Sequence, residues 1–89
     1  MNEKAMDIID SEIEYAEMWD AVPRENRPLK DSEKPVEFWL TFIRRYLRKA
    51  EDACYGYDKT DAMDSVRIIA ALCVRCIMHS EYARKREKE

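Results

Sequence analysis

Val66 to Met78 reads VRIIAALCVRCIM, thirteen residues in which Arg67 and Arg75 are the only polar side chains. A helix so apolar is expected to be almost surrounded by protein. Two guanidiniums eight residues apart on it, near one stripe, then require either a water-facing seam or an anion, because an unpaired buried charge is costly. With one glycine, 39% charged residues and no alternating segment, the chain around this helix reads as all-α, three helices and no strand.

Outward from that stretch, the third helix is expected over 60–82, fraying into a charged tail, with Asp58 or Thr60 as its N-cap. Just before it lies Gly56, the chain's only glycine, where the end of a second helix over 35–55 calls for the left-handed conformation. Pro35 suits the first turn of that helix, with Asp31 or Ser32 upstream as caps. Its inward stripe is Val36, Trp39, Ile43, Tyr46 or Leu47, Ala50 and Ala53. A connection this short makes the two long helices antiparallel. A first helix over 3–21 turns Met6, Ile9, Ile13 and Ala16 inward, flanked by Ile8, Tyr15 and Trp19, and Pro23 stops it. Residues 22–34 then form a basic connection containing Pro23 and Pro28, long enough to suggest a role of its own. The expected architecture is an antiparallel hairpin with the N-terminal helix packed across it in a small bundle.

Eighty-nine residues suit one domain, too small to bury much of its surface, so extra stabilisation is expected. Three cysteines, Cys54, Cys73 and Cys76, have no framework spacing and no signal-peptide pattern ahead of them, and they read as reduced core thiols of a cytoplasmic protein. No apolar run is long enough for a membrane span. Homo-oligomerisation is the remaining source of stability.

The net charge of -3 hides a segregation. Glu3, Asp7, Asp10, Glu12, Glu14, Glu17 and Asp20 make the first helix acidic, whereas Arg24, Arg27, Lys30, Lys34, Arg44, Arg45, Arg48 and Lys49 make the middle basic. Opposite blocks in one small chain attract each other within the fold or across a subunit interface, and the negative total argues against a duplex nucleic-acid partner.

Two residue sets bear on chemistry. Arg24, Arg27, Lys30 and Lys34 lead into the N-terminus of the second helix, where free N–H groups and the helix dipole favour a phosphate. Arg67 and Arg75 flank Ala71, with Tyr82 near the same stripe, and arginine suits bidentate recognition of phosphate. The plainer reading pairs both arginines with acids of the first helix, Glu14 or Glu17, in an interface seam. The second set is acidic. Asp10, Glu14 and Glu17 share one side of the first helix and Asp61 and Asp64 open the third, an arrangement that could hold Mg²⁺ against phosphates. Asp61 and Asp64 equally serve as ordinary N-terminal helix acids. Cys73, Cys76 and His79 cannot close on one zinc from a single helix, because steps of three carry the third residue well around the axis. No nucleophile has a recognisable local signature.

The order I-D-S-E-I-E-Y followed by Trp19, then E-F-W-L-T-F-I-R-R-Y-L-R-K-A, a short turn and V-R-I-I-A-A-L-C-V-R-C-I-M resembles a group of small phage and prophage helical proteins, some labelled MazG-like. Around Tyr15 the chain has Ile13 and Ala16 where that group carries basic and amide residues, and it ends in His79, Ser80 and Glu81 instead of histidine-glycine. The resemblance implies a phage-encoded accessory protein in the host cytoplasm, similar in general design to phage sponges that sequester nucleotide immune signals. Such a protein needs a pocket and no reaction, in keeping with cations and aromatics such as Tyr15, Trp19 and Trp39 without an identifiable general base. The expected function is therefore anti-defence binding of a small phosphate-containing nucleotide, with Arg67, Arg75, Arg24, Arg27, Lys30, Tyr15 and Trp19 as ligand residues and no cofactor. The enzymatic alternative is a Mg²⁺-dependent pyrophosphohydrolase built on Asp10, Glu14, Glu17, Asp61 and Asp64, and a third reading is a helical adaptor for a host protein.

Overall fold

Asn2, not singled out by its composition, starts the first helix: its Oδ1 accepts from the backbone N–H of Lys4 at 2.8 Å and of Ala5 at 3.3 Å. That is an N-cap, satisfying donors that the first turn leaves open. The computed structural model describes residues 2–20 and 31–85, with the backbone alone at Trp19 and Asp20. Among the described residues there are three α-helices, α1 Glu3–Asp20, α2 Val36–Tyr55 and α3 Lys59–His79, a 3-10 turn Asp31–Glu33 and no strand. The expected limits hold to a residue or so, except that α3 stops at His79 instead of Tyr82. The Ser80 hydroxyl accepts from the Tyr82 N–H at 3.2 Å and the Ser80 carbonyl from Ala83 N–H at 3.2 Å, so a side-chain-supported turn replaces the last helical turn. Expectations for residues 21–30 lie outside the described residues.

Pro35 is the N-cap of α2 with extended backbone, and no side chain caps it. Asp31 and Ser32 are therefore not caps, and Asp31 is engaged elsewhere. At the other end the expected role of Gly56 is corrected. Gly56 has φ −81°, and Tyr57 is the residue with positive φ, 62°. The Asp58 N–H donates to the Ala53 carbonyl at 2.9 Å and the Tyr57 N–H to the Cys54 carbonyl at 3.0 Å, the paired bonds of a Schellman ending. The left-handed residue is thus one position beyond the glycine. Asp58 then caps α3 as expected, its Oδ1 accepting from Asp61 N–H at 2.9 Å. This turn of residues 56–58 lays α3 back along α2.

The hairpin interior is narrow. Trp39 and Ala50 of α2 and Ala62, Ser65, Ala71 and Leu72 of α3 are the buried side chains among the described residues. Tyr46 turns partly inward while Leu47 is half exposed, which settles the α2 stripe in favour of Tyr46. Helix α1 packs on α3 and, among the described residues, has no backbone approach to α2. It contributes Ala5, Ile8, Ile9, Glu12, Ile13 and Ala16 as its half-buried side, while Met6 of the expected stripe is exposed. Helix α3 is therefore not surrounded. Met63, Val66, Cys73, Ile77 and Met78 stand in the open, and the expectation of core thiols fails for Cys54 and Cys73, both exposed and free. Cys76 alone is partly covered; burial pushes its thiol up, and the Cys73 sulfur adds to the shift.

Candidate ligand-binding cleft

Because α1 leans on α3 alone, a cleft of about 460 Å³ opens between α1 and α2 with α3 as its floor. Glu12, Tyr15 and Ala16 line it from α1, Trp39, Phe42 and Tyr46 from α2, and Ile68, Ala71, Leu72 and Arg75 from α3. Lys34, between the 3-10 turn and α2, closes one end.

At that end the charges are built into a cluster. Asp31 accepts from Arg75 twice, Nε to Oδ2 and Nη2 to Oδ1, both at 2.9 Å, and from Lys34 Nζ at 2.7 Å. His79 Nε2 stands 3.8 Å from the second oxygen. Side-chain exposures of 14% for Asp31, 11% for Arg75 and 10% for Lys34 mean that these three groups are largely out of water. Burial by itself pushes the Asp31 carboxyl up, but the hydrogen bonds from Arg75 and Lys34, with their charges, outweigh it and hold the carboxyl below the usual carboxylate range. Both cations also stand against the Trp39 ring, Lys34 Nζ at 4.9 Å and the Arg75 guanidinium at 5.3 Å from its centroid. Two cations thus share the Asp31 carboxylate at the cleft end.

Trp39 is 1% exposed, and its Nε1 has no hydrogen-bond partner among the described residues. A buried N–H without an acceptor costs about 1 to 3 kcal/mol.

The expected site residues are divided by this geometry. Arg75 and Tyr15 line the cleft. Arg67 does not: it is 44% exposed and reaches Glu12 Oε1 at 3.3 Å and Asp64 Oδ1 at 2.9 Å. It is a seam between α1 and α3 within one chain, made with Glu12 instead of the expected Glu14 or Glu17, both of which face solvent. The partner of Arg75 is likewise not an acid of α1 but Asp31, 44 residues earlier. Arg24, Arg27, Lys30 and the Trp19 side chain lie outside the described residues. The α2 N-terminus, expected to receive phosphate, is bordered by Glu33, Glu37 and Glu81 around Lys34, an acidic setting. Tyr82, expected beside the arginines, lies beyond α3 and is exposed.

The alternative acid set is also dispersed. Asp10, Glu14, Glu17 and Asp61 are exposed, Asp64 is tied to Arg67, and among the described residues no three His, Cys, Asp or Glu side chains could hold a metal ion together. Reading the sequence missed Asp31 and Lys34 as a clamp and Phe42, Tyr46 and Glu12 as cleft walls. The D-S-E-K-P spacing places an acid and a lysine three apart before a proline, which is a local signal. The long reach to Arg75 has none. No protein family, no curated protein and no solved structure matches this chain.

Proposed function

We propose that this chain is a binding protein without catalytic action, whose α1/α2 cleft takes a small ligand combining a flat ring with an anionic group, a phosphate-containing nucleotide being the fitting class. The observation that carries this reading is the pair of cations, Lys34 and Arg75, set against the buried Trp39 ring at the wall of the cleft. Tyr15, Phe42 and Tyr46 supply aromatic surface for a base, and Lys34 and Arg75 supply cationic groups at the cleft end for a phosphate. The phage-type resemblance of the helix patterns makes sequestration of a host nucleotide signal the fitting biological setting, and the enzymatic reading has no convergent acid set behind it among the described residues.

Native mass spectrometry of protein purified from expressing cells tests this reading, together with titration by adenosine 5′-monophosphate and 5′-triphosphate. A retained nucleotide, or saturable binding that Lys34→Ala weakens, supports it. Release of pyrophosphate from the triphosphate, or no binding of either probe at millimolar concentration, removes it.

A further inference from the structure

The side of the hairpin that α1 leaves bare is patterned. On α2, Leu40, Arg44, Leu47, Glu51 and Cys54 recur at steps of four, three, four and three, and all five are exposed. On α3, Met63, Val66, Ala70, Cys73 and Ile77 recur at steps of three, four, three and four, exposed except for a half-buried Ala70 and without a charge. These are the spacings of a helix seam that meets another helix. The α3 stripe lies roughly 140° around its helix from the side carrying Arg67, Ile68 and Ala71, which meets α1 and the cleft. Near the turn the two stripes join in one apolar groove lined by Ala50, Cys54, Met63 and Val66.

The α2 stripe has a polarity that identifies its occupant. Read along the chain it is apolar, positive, apolar, negative, apolar, centred on Leu47. Turned end for end it becomes its own complement. Two copies crossing antiparallel at Leu47 set Arg44 of one against Glu51 of the other, and the reverse, while Leu40 meets the region of Cys54. In a parallel pairing, arginine would face arginine and glutamate would face glutamate. Neither Arg44 nor Glu51 forms an ion pair among the described residues, and seven residues of helix keep them about 10 Å apart on one chain. We propose that the bare face of the α2/α3 hairpin binds a second copy of this chain about a two-fold axis, with α2 antiparallel to its equivalent and Arg44 paired with the partner's Glu51. The uncharged α3 stripe extends the apolar contact, and α2 sets its direction. This face lies away from the cleft, so the assembly stands or falls independently of the ligand reading.

Sedimentation equilibrium of the full chain is the test, from low micromolar to about a hundred micromolar. Wild type sediments as a dimer. Arg44→Glu and Glu51→Arg each place like charges at two symmetric contacts and weaken the dimer at least about tenfold, and the double variant restores it. Independently of charge, Leu47→Cys in a chain whose native cysteines are replaced by serine forms a disulfide with its own copy under mild oxidation, whereas Leu40→Cys does not. A wild-type monomer throughout the range overturns the proposal. So does a dimer indifferent to both single reversals, self-crosslinking at Leu40→Cys as readily as at Leu47→Cys, or a stable complex in which a different protein occupies the face.

Discussion

Asp31 and Arg75 are joined by two hydrogen bonds of 2.9 Å, so a residue just ahead of α2 is pinned to the last turns of α3. The open end of the hairpin is thereby closed by a charge pair, while the other end is closed by the covalent turn at residues 56–58. Lys34 completes the clamp from three residues away.

Removing Arg75 takes two hydrogen bonds from the part-buried Asp31 carboxylate and leaves it Lys34 as its near counter-charge. Arg75→Ala is expected to lower the unfolding free energy by about 3 kcal/mol, near the lower end for breaking a buried pair. Arg67→Ala, at a half-exposed seam, is expected to cost less than about 1 kcal/mol. Chemical denaturation of both variants checks the order. Equal losses would remove the distinction between clamp and seam.

The same clamp sets an acid limit. The folded chain holds the Asp31 carboxyl below its unfolded value, so its stabilisation is fully present above the unfolded value of about 4 and is lost as pH falls through the lower folded one. Melting temperatures taken from pH 6 down to about pH 2 should show a steeper fall for wild type than for Asp31→Asn. Parallel curves would contradict this assignment.

At the α2/α3 turn the glycine and the left-handed residue are out of step. Tyr57 at φ 62° carries a side chain where glycine is usual, a strain of about 1 kcal/mol. Tyr57→Gly is therefore expected to raise stability by about that amount. Gly56→Ala is expected to be neutral or mildly stabilising, because a Cβ there meets only the Ala53 and Asp52 carbonyl oxygens at 3.6 and 3.7 Å. Thermal melts of the two single variants settle the matter.

Thiol chemistry should sort by cover. In dilute protein at mildly alkaline pH, Cys54 and Cys73 are expected to alkylate readily, with Cys76 slowest, since burial holds more of its thiol protonated. Mass-resolved labelling over time gives the order, and rapid loss of Cys76 would argue that α3 is less covered than the fold indicates.

The helices were legible in the sequence because apolar spacing, Pro35, Gly56 and Asp58 act locally, within a turn or two of chain. The left-handed position was misassigned because Gly56 is itself the C-cap of α2, and a Schellman ending places the left-handed residue one position beyond the cap. The site was half legible. Arg75 stood out as a charge in an apolar helix, but its acceptor lies on a different element, and the spacing that ties Asp31 to Lys34 says nothing of Arg75. Arg67 looked equivalent to Arg75 by composition. Eight residues of helix separate their directions enough that one faces α1 and the other the cleft end. The assumption that an apolar helix is enclosed misjudged α3, since a single chain can leave one of its sides for another molecule to cover.

The interior of the hairpin has a thermodynamic signature. Of the side chains buried among the described residues only Trp39 and Leu72 are large; the others are Ala50, Ala62, Ala71 and Ser65. Unfolding an isolated chain therefore hydrates little new apolar surface, and its heat-capacity increment and denaturant slope fall below those usual for this length. A shallow stability curve follows, with broad melting and little dependence on cooling. Any partner seated on the exposed leucine, valine and isoleucine side chains would sharpen that curve as well as raise its midpoint, because heat capacity counts hydrocarbon removed from water wherever the removal occurs.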